Sequence, residues 1–439
     1  MGALKSEETE KGGRGVIVDG VLFNANRTTL ITYTADKTAS AYSIPNGVTS
    51  IGKGAFYMCK NLKSVSIPDS VKSIGEGAFC GCTALTEIIC PSVTSIGKEA
   101  FYECVSLSEV TFSSSITSIE GLFSGSGELT PVNIHDSVTA FEGTFSGSWK
   151  LKIVSIQNNA IALVDGAFSD YKKLTSVNIP NGVTSIGKWA FNECMALTKA
   201  NIPNSVIFIK RGAFFGCKNL TSVAIPNGVT YIGWDAFREC TSLTKVSIPN
   251  SVTPREDIDR FPTAGWDVFR DCTALTAVSI PASLESIEGG AFRGCTSLTA
   301  VSIPLGIKSI GENAFMGCTS LAKISIPDSV ISIYNWAFSG CTALTEVSIP
   351  NGVTSIGHGV FYGCKNLKSV SIADSVKSIG EGTFCGCTAL TEMSIPRNVT
   401  SIGERAFDEC EKLTRVELSE KTLIGDKVFL SKVHLQYSR

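Results

Sequence analysis

The stretch IPNGVTSIGKWAF, Ile179 to Phe191, returns with small changes as IPNGVTSIGKGAF (Ile44 to Phe56), IPNGVTYIGWDAF (Ile225 to Phe237) and IPNGVTSIGHGVF (Ile349 to Phe361). Working outward from it, phenylalanine marks a period of 22 or 23 residues along the 439-residue chain, from Phe56, Phe79 and Phe101 to Phe384, Phe407 and Phe429. One interval, Phe237 to Phe269, is longer. A self-similar period of this length is the mark of a repeat array rather than of a string of globular domains. Within one repeat, AFRECTSLTKVSIPNSV (Ala236 to Val252), each part has a role. Ala236, Phe237 and Cys240 have the spacing that puts side chains on one face of a single helical turn. Leu243, Val246 and Ile248 form the alternating apolar run of a short strand with one buried side. Pro249 cannot donate to a ladder and ends that strand, and the following Asn-Ser or Asn-Gly supplies turn chemistry.

A coil of this size has too few apolar residues to bury its own inner face, so it is stable only when stacked on its neighbours. Stacking places equivalent residues above one another at about 4.8 Å, and identical side chains then form columns. The sequence therefore predicts an α/β repeat solenoid, predominantly β and right-handed. About seventeen coils, one per marker phenylalanine, carry short helical turns on the outer wall.

The phrase LTSVSIPNGVTSIGxxAFxxCxxL, nearly complete from Leu174 to Leu197 and from Leu344 to Leu367, resembles the BspA-type leucine-rich repeat. Residues 16–41, beginning VIVDGVLFNANRTTLITYTA, are similar to the β-hairpin that often opens such arrays and would shield the first coil. The expected organisation is a polar tail over 1–15, a hairpin cap over 16–41, the leucine-rich repeat array over 42–418 with an insertion loop at 253–265, and a C-terminal cap over 419–439. The terminal segment keeps Phe429 and Leu435, and no strand is expected to follow them.

Lys plus Arg (38) nearly balance Asp plus Glu (40), so the basic stripe that tracks phosphates is missing and nucleic acid is not an expected partner. No eighteen-residue apolar run occurs, so membrane insertion by this chain is not expected. The amino-terminal MGALKSEETEKGGRG carries no apolar signal-peptide core, which says little about the natural compartment.

Thirteen of the sixteen cysteines stand three residues after a marker phenylalanine, which reads as a column of small buried thiols. Parallel stacking of that column disfavours the near-perpendicular torsion of a disulfide. Cys80-Gly81-Cys82 and Cys385-Gly386-Cys387 resemble metal or redox spacing, but no histidine lies nearby, and the segments around them are near copies of each other. His135, His358 and His434 lie on distant coils without metal or triad spacing. No phosphate loop, HExxH, GxSxG, EF-hand or GxGxxG motif occurs. No cofactor, metal or catalytic residue is assigned, and a non-enzyme is expected.

Outward strand positions such as Ser66, Ser302, Ser325 and Ser348 form a ladder of small polar groups, poor in the Trp, Tyr and Arg that anchor tight contacts. The places that break the period are therefore the candidate sites. One is the insertion, with Arg255, Glu256, Asp257, Asp259, Arg260, Phe261 and Trp266, read either as a binding loop or as a tolerated decoration. The other is a degenerate stretch with His135, Phe141 and Trp149, read as drift or as a partner surface. Asn26 (NRT) and Asn398 (NVT) are candidate glycosylation acceptors. The resemblance implies non-catalytic binding of a protein or extracellular-matrix ligand, with the chain at a microbial cell surface or secreted. The alternatives are an intracellular, cytoplasmic scaffold or spacer with reduced thiols and, more distantly, an enzyme whose site is not visible in sequence.

Overall fold

The computed structural model describes residues 15–119, 121–124, 132–134, 153–156, 162–163, 165–179, 181–253 and 267–438. The chain forms two compact units, Met1–Val183 and Thr184–Arg439. Each is a β-solenoid, and together they make about 15 turns. That is fewer than the seventeen read from the marker phenylalanines. Phe145 lies outside the described residues, and Phe429 belongs to a last coil that has no second strand after it.

In the first unit, Val16–Val18 pairs antiparallel with Val21–Phe23, which pairs antiparallel with Thr29–Tyr33. Thr29–Tyr33 then opens a parallel ladder through Ser50–Ile51, Ser73–Ile74 and Ser95–Ile96. The hairpin also closes the core, because the buried Tyr33 ring stacks on Phe56 at 5.3 Å. A second wall carries Ala41–Ser43, Ser64–Ser66, Glu87–Cys90 and Glu109–Phe112, again in parallel.

The second unit repeats the plan. Lys199–Asn201, Ser222–Ala224, Lys245–Ser247 and Ala277–Ser279 stack in parallel, and Ser286–Ile287 to Leu423–Ile424 form the facing ladder of two-residue strands. The repeat is long enough for one strand of three or four residues and one of two per coil, with the apolar residue turned inward in most of them, as at Val301 and Ile310. Pairing is in phase, Ile310 opposite Ile333 and Val301 opposite Ile324, because a slip of one residue would turn every Ile and Val to solvent.

The third wall differs from expectation: the described residues contain no helix. A helical turn keeps its amide hydrogen bonds within itself, but here alternate amides are shared between coils. Gly54, Phe56 and Met58 donate to Glu76, Ala78 and Cys80 of the next coil at 2.9, 2.7 and 2.8 Å, whereas Ala55, Tyr57 and Cys59 donate three residues back within their own coil. Such alternation requires a left-handed residue two positions before and two after the phenylalanine. Gly54 (φ 60°) and Met58 (φ 58°) supply them, and no α-helix survives two such reversals.

The core is the predicted set of columns. Phe191, Phe214, Phe237 and Phe269 are fully or nearly fully buried and stack face to face at 5.1, 5.2 and 5.5 Å. The Phe237–Phe269 step is as tight as its neighbours, so the stack closes across the long interval. The two-residue ladder does not. Among the described residues it stops at Tyr231–Ile232 and resumes at Ser286–Ile287, and between Ile232 and Ile287 lies an apolar cavity of about 70 Å³ that Val252, Val268 and Phe292 help to line. At the far end, a five-residue strand, His434–Ser438, pairs in parallel with Arg415–Ser419. This corrects the expectation that no strand follows Phe429. The segment lacks the Ile-Pro ending that most repeats carry, but Leu435 pairs with Val416.

Candidate functional site on the turn wall

All sixteen cysteines are free, and every one of the thirteen in the column is buried. The column Sγ atoms donate to the carbonyl of the phenylalanine one coil earlier, as in Cys82 to Phe56 (3.0 Å), Cys217 to Phe191 (3.1 Å) and Cys318 to Phe292 (3.2 Å). Burial pushes the Cys318 and Cys364 thiols up to about 12. These are packing groups with a weak donor to place, and their low thiolate fraction makes them poor nucleophiles and ligands. Among the described residues no group of three His, Cys, Asp or Glu side chains is placed to hold a metal ion, and no helix is long and apolar enough to cross a membrane.

Of the sequence-selected residues, Arg255, Glu256, Asp257, Asp259, Arg260, Phe261 and Trp266 lie outside the described residues, as do His135, Phe141 and Trp149. Asn26 and Asn398 are both exposed. The Asn398 amide donates to the Asp374 carbonyl at 2.9 Å, and Thr400 of the same triplet donates to Lys377. The strand face carries exposed Ser302, Ser325 and Ser348, with a loose Lys323–Glu346 pair at 4.0 Å.

The turn wall is chemically richer. Its left-handed slot two residues before each marker phenylalanine holds glycine in half of the described coils, among them Gly54, Gly77, Gly212, Gly290, Gly359 and Gly382, and mostly a polar residue such as Asp235 or Asn313 in the others. Two coils put tryptophan there instead, Trp189 at φ 57° and Trp336 at φ 59°. An L-residue in this region costs about 1–2 kcal/mol, and a bulky one is a true outlier. The next coil makes room for each indole by having glycine. A Cβ on Gly212 would come within 2.1 Å of the Trp189 ring, and one on Gly359 within 2.3 Å of the Trp336 ring. An aromatic residue just after the next phenylalanine then meets each indole edge-on: Phe215 against Trp189 (5.7 Å, 73°) and Tyr362 against Trp336 (5.6 Å, 64°). The same device is built twice in the second unit.

The two copies differ in what surrounds them. Around Trp189 the space is filled. The Arg211 guanidinium lies 5.5 Å from the Trp189 ring and 5.6 Å from Trp234, and Arg238 lies 5.4 Å from Phe215. The buried Asp235 pairs with Arg238 at 3.3 Å and with Arg211 at 3.8 Å. Around Trp336 the equivalents of Arg211, Trp234 and Asp235 are His358, Glu381 and Gly382. The smaller set leaves a cleft of about 390 Å³ bordered by Asn335, Trp336, His358, Tyr362, Glu381 and Arg405. The Asn335 Oδ1 accepts from the His358 amide at 2.8 Å, and His358 Nδ1 stands 3.9 Å from the Glu381 carboxylate. At the cleft floor, burial pushes the Cys385 thiol up to about 11.

By sequence, His358 has no metal or triad spacing to another histidine, and neither tryptophan is among the candidate residues. The signal that would have found them is tryptophan in a slot otherwise held by glycine or a polar residue, followed one repeat later by glycine.

The profile described as BspA type leucine rich repeat region (6 copies) matches residues 33–144, 140–257, 263–374 and 354–437. The chain belongs to the BspA-type leucine-rich repeat family. Among solved structures, this BspA-type chain is similar to a leucine-rich repeat protein from Bacteroides ovatus, with 23% identity over 99% of this chain and 100% of that one and a TM-score of 0.63. It also matches a leucine rich cell surface protein from Faecalibacterium prausnitzii, with 26% identity over 83% and 96% of the two chains and a TM-score of 0.41. A leucine-rich repeat protein from Eubacterium ventriosum matches with 20% identity over 80% and 95% and a TM-score of 0.43. The first likeness supports the fold of this BspA-type array. No curated protein sequence matches the chain.

Proposed function

We propose that this BspA-type repeat protein is a non-catalytic recognition protein that binds a protein or extracellular-matrix ligand at a microbial cell surface or after secretion. The observation that carries the proposal is the contrast between two walls of the second unit. The strand wall presents a ladder of serines, whereas the turn wall presents Trp189, Arg211, Trp234 and Arg238 in one cluster. Trp and Arg on a rigid, preordered surface are the residue types that dominate binding energy at protein interfaces. In sequence the insertion separates the coil of Trp234 from the coil stacked on it, which accepts from the Phe237 amide at Val268 (2.9 Å) and from the Glu239 amide at Arg270 (2.8 Å). Arg255, Arg260, Phe261 and Trp266 extend the same chemistry in sequence, and the insertion is proposed as part of this binding surface.

The test is capture from host-cell surface, matrix and cytosolic extracts by the intact protein, by a deletion of residues 254–262 and by an Arg211→Ala, Trp234→Ala pair. Surface or matrix capture that falls at least about tenfold in either variant, with the unfolding transition retained, is the expected result. Capture of cytosolic partners alone would favour an intracellular scaffold, the use for which sixteen free thiols are suited. Loss of cooperative unfolding in the deletion would make the insertion structural.

A further inference from the structure

We propose that the cleft beside Trp336 is a binding site for a neutral saccharide. The cavity, about 390 Å³, falls in the size range of small-ligand sites, and its two sides differ in chemistry. One side is aromatic: Trp336 (36% exposed) and Tyr362 (41% exposed) meet edge to face and present an indole surface held by backbone geometry rather than by a flexible loop. The other side is a rim of hydrogen-bonding groups with capacity to spare. Asn335 uses its Oδ1 on the His358 amide and keeps its Nδ2 donors, Arg405 uses its Nε on Asp408 at 3.0 Å and keeps its Nη donors, and the Glu381 carboxylate has only a long approach, 3.9 Å, to His358.

A pyranose is the ligand class with matching halves. Its axial C–H groups make an apolar face that lies flat on an aromatic ring, and its equatorial hydroxyls both donate and accept around the edge. Charge decides against acidic sugars. The Glu381 and Asp408 carboxylates outnumber the Arg405 guanidinium, so a uronate or sialate carboxylate would meet net repulsion from them.

The cleft also has a built-in control. Trp189 occupies the same slot over Gly212, but Arg211, Trp234 and Asp235 fill the space that His358, Glu381 and Gly382 leave open. The Trp336 copy lacks these groups and borders the cleft. The inference is independent of the protein-binding surface proposed above, which uses the filled copy.

The experiment is titration of the full chain by calorimetry and saturation-transfer NMR with lactose, maltose, cellobiose and N-acetyllactosamine, with 3′-sialyllactose as the acidic comparator. At least one neutral disaccharide is expected to bind, with the saturation passing to ring C–H protons. Trp336→Gly installs the residue that half of the described coils already hold in this slot, so it keeps the fold, and it is expected to weaken binding by at least about tenfold. Trp189→Gly should leave affinity within about twofold. Gly382→Asp, which copies Asp235 in the same left-handed slot, should block the cleft. The proposal is overturned if none of the neutral sugars binds up to about 10 mM, where a Kd of about 1 mM is still resolved. It is also overturned if only the sialylated sugar binds, or if Trp336→Gly binds as well as the intact protein.

Discussion

At the residue scale, the repeat works by assigning each slot a single physical task. The cysteine slot needs a small buried side chain with a donor for the phenylalanine carbonyl one coil back, and the thiol meets both needs at 3.0 to 3.3 Å in most coils. A thiol whose value in the folded state lies above its unfolded value of about 8.5 contributes stability that is fully present below the unfolded value. That stability is lost as pH rises towards about 12, where Cys318, Cys364 and Cys410 titrate in the folded protein. Denaturation midpoints are therefore expected to fall steadily above about pH 8.5, and less so in Cys318→Ala; a flat profile would contradict this. Of all the thiols only Cys80 is partly exposed, so iodoacetamide should label it first. The glycine beneath each indole gives a sharper test. Gly359→Ala would press a Cβ to 2.3 Å of Trp336 and should cost about 2–3 kcal/mol, whereas Gly363→Ala has open space and should cost only the left-handed strain of about 1 kcal/mol. Pairing Gly359→Ala with Trp336→Gly should recover most of the difference in chemical denaturation.

At the scale of one coil, the break in the two-residue ladder leaves its mark on a neighbouring carboxylate. Glu288 lines the cavity between Ile232 and Ile287, accepts a short hydrogen bond from Ser286, and is pushed up by burial. Its folded value lies above its unfolded value, so the stability linked to its proton is present below about pH 4.3 and is lost as pH rises through the folded value. At neutral pH the ionised, half-buried carboxylate therefore weakens this coil. Glu288→Gln is expected to raise the denaturation midpoint at pH 7 and to bring no gain at pH 4; a gain that persisted at pH 4 would assign the effect to packing instead. The helical turn expected on the outer wall fails at this scale as well. The spacing of Ala236, Phe237 and Cys240 reports which side chains face inward, and all three are fully buried. It does not report where the amides point, and here every second amide belongs to the next coil.

At the scale of the whole molecule, stability is held by contacts between neighbouring coils, so damage should stay local. Phe315→Ala removes a ring stacked at 5.4 Å on both Phe292 and Phe338 and should cost about 3–5 kcal/mol. Hydrogen exchange should show that loss concentrated in the adjacent coils of the second unit rather than spread evenly. By itself, the sequence determined the period, the inward columns of Phe, Cys, Ile and Leu, the solenoid and the family. Those follow from apolar spacing within one repeat, and each repeat tests the same inference again. Only the tertiary structure decided that the turn wall is not helical, that His434–Ser438 is a paired strand, and that Trp336 borders a cleft whereas Trp189 lies against Arg211. Such features depend on which residues from successive coils share a surface. Trp336, His358, Glu381 and Arg405 are separated by 22 or more residues in the chain and meet only because stacking brings one slot above another.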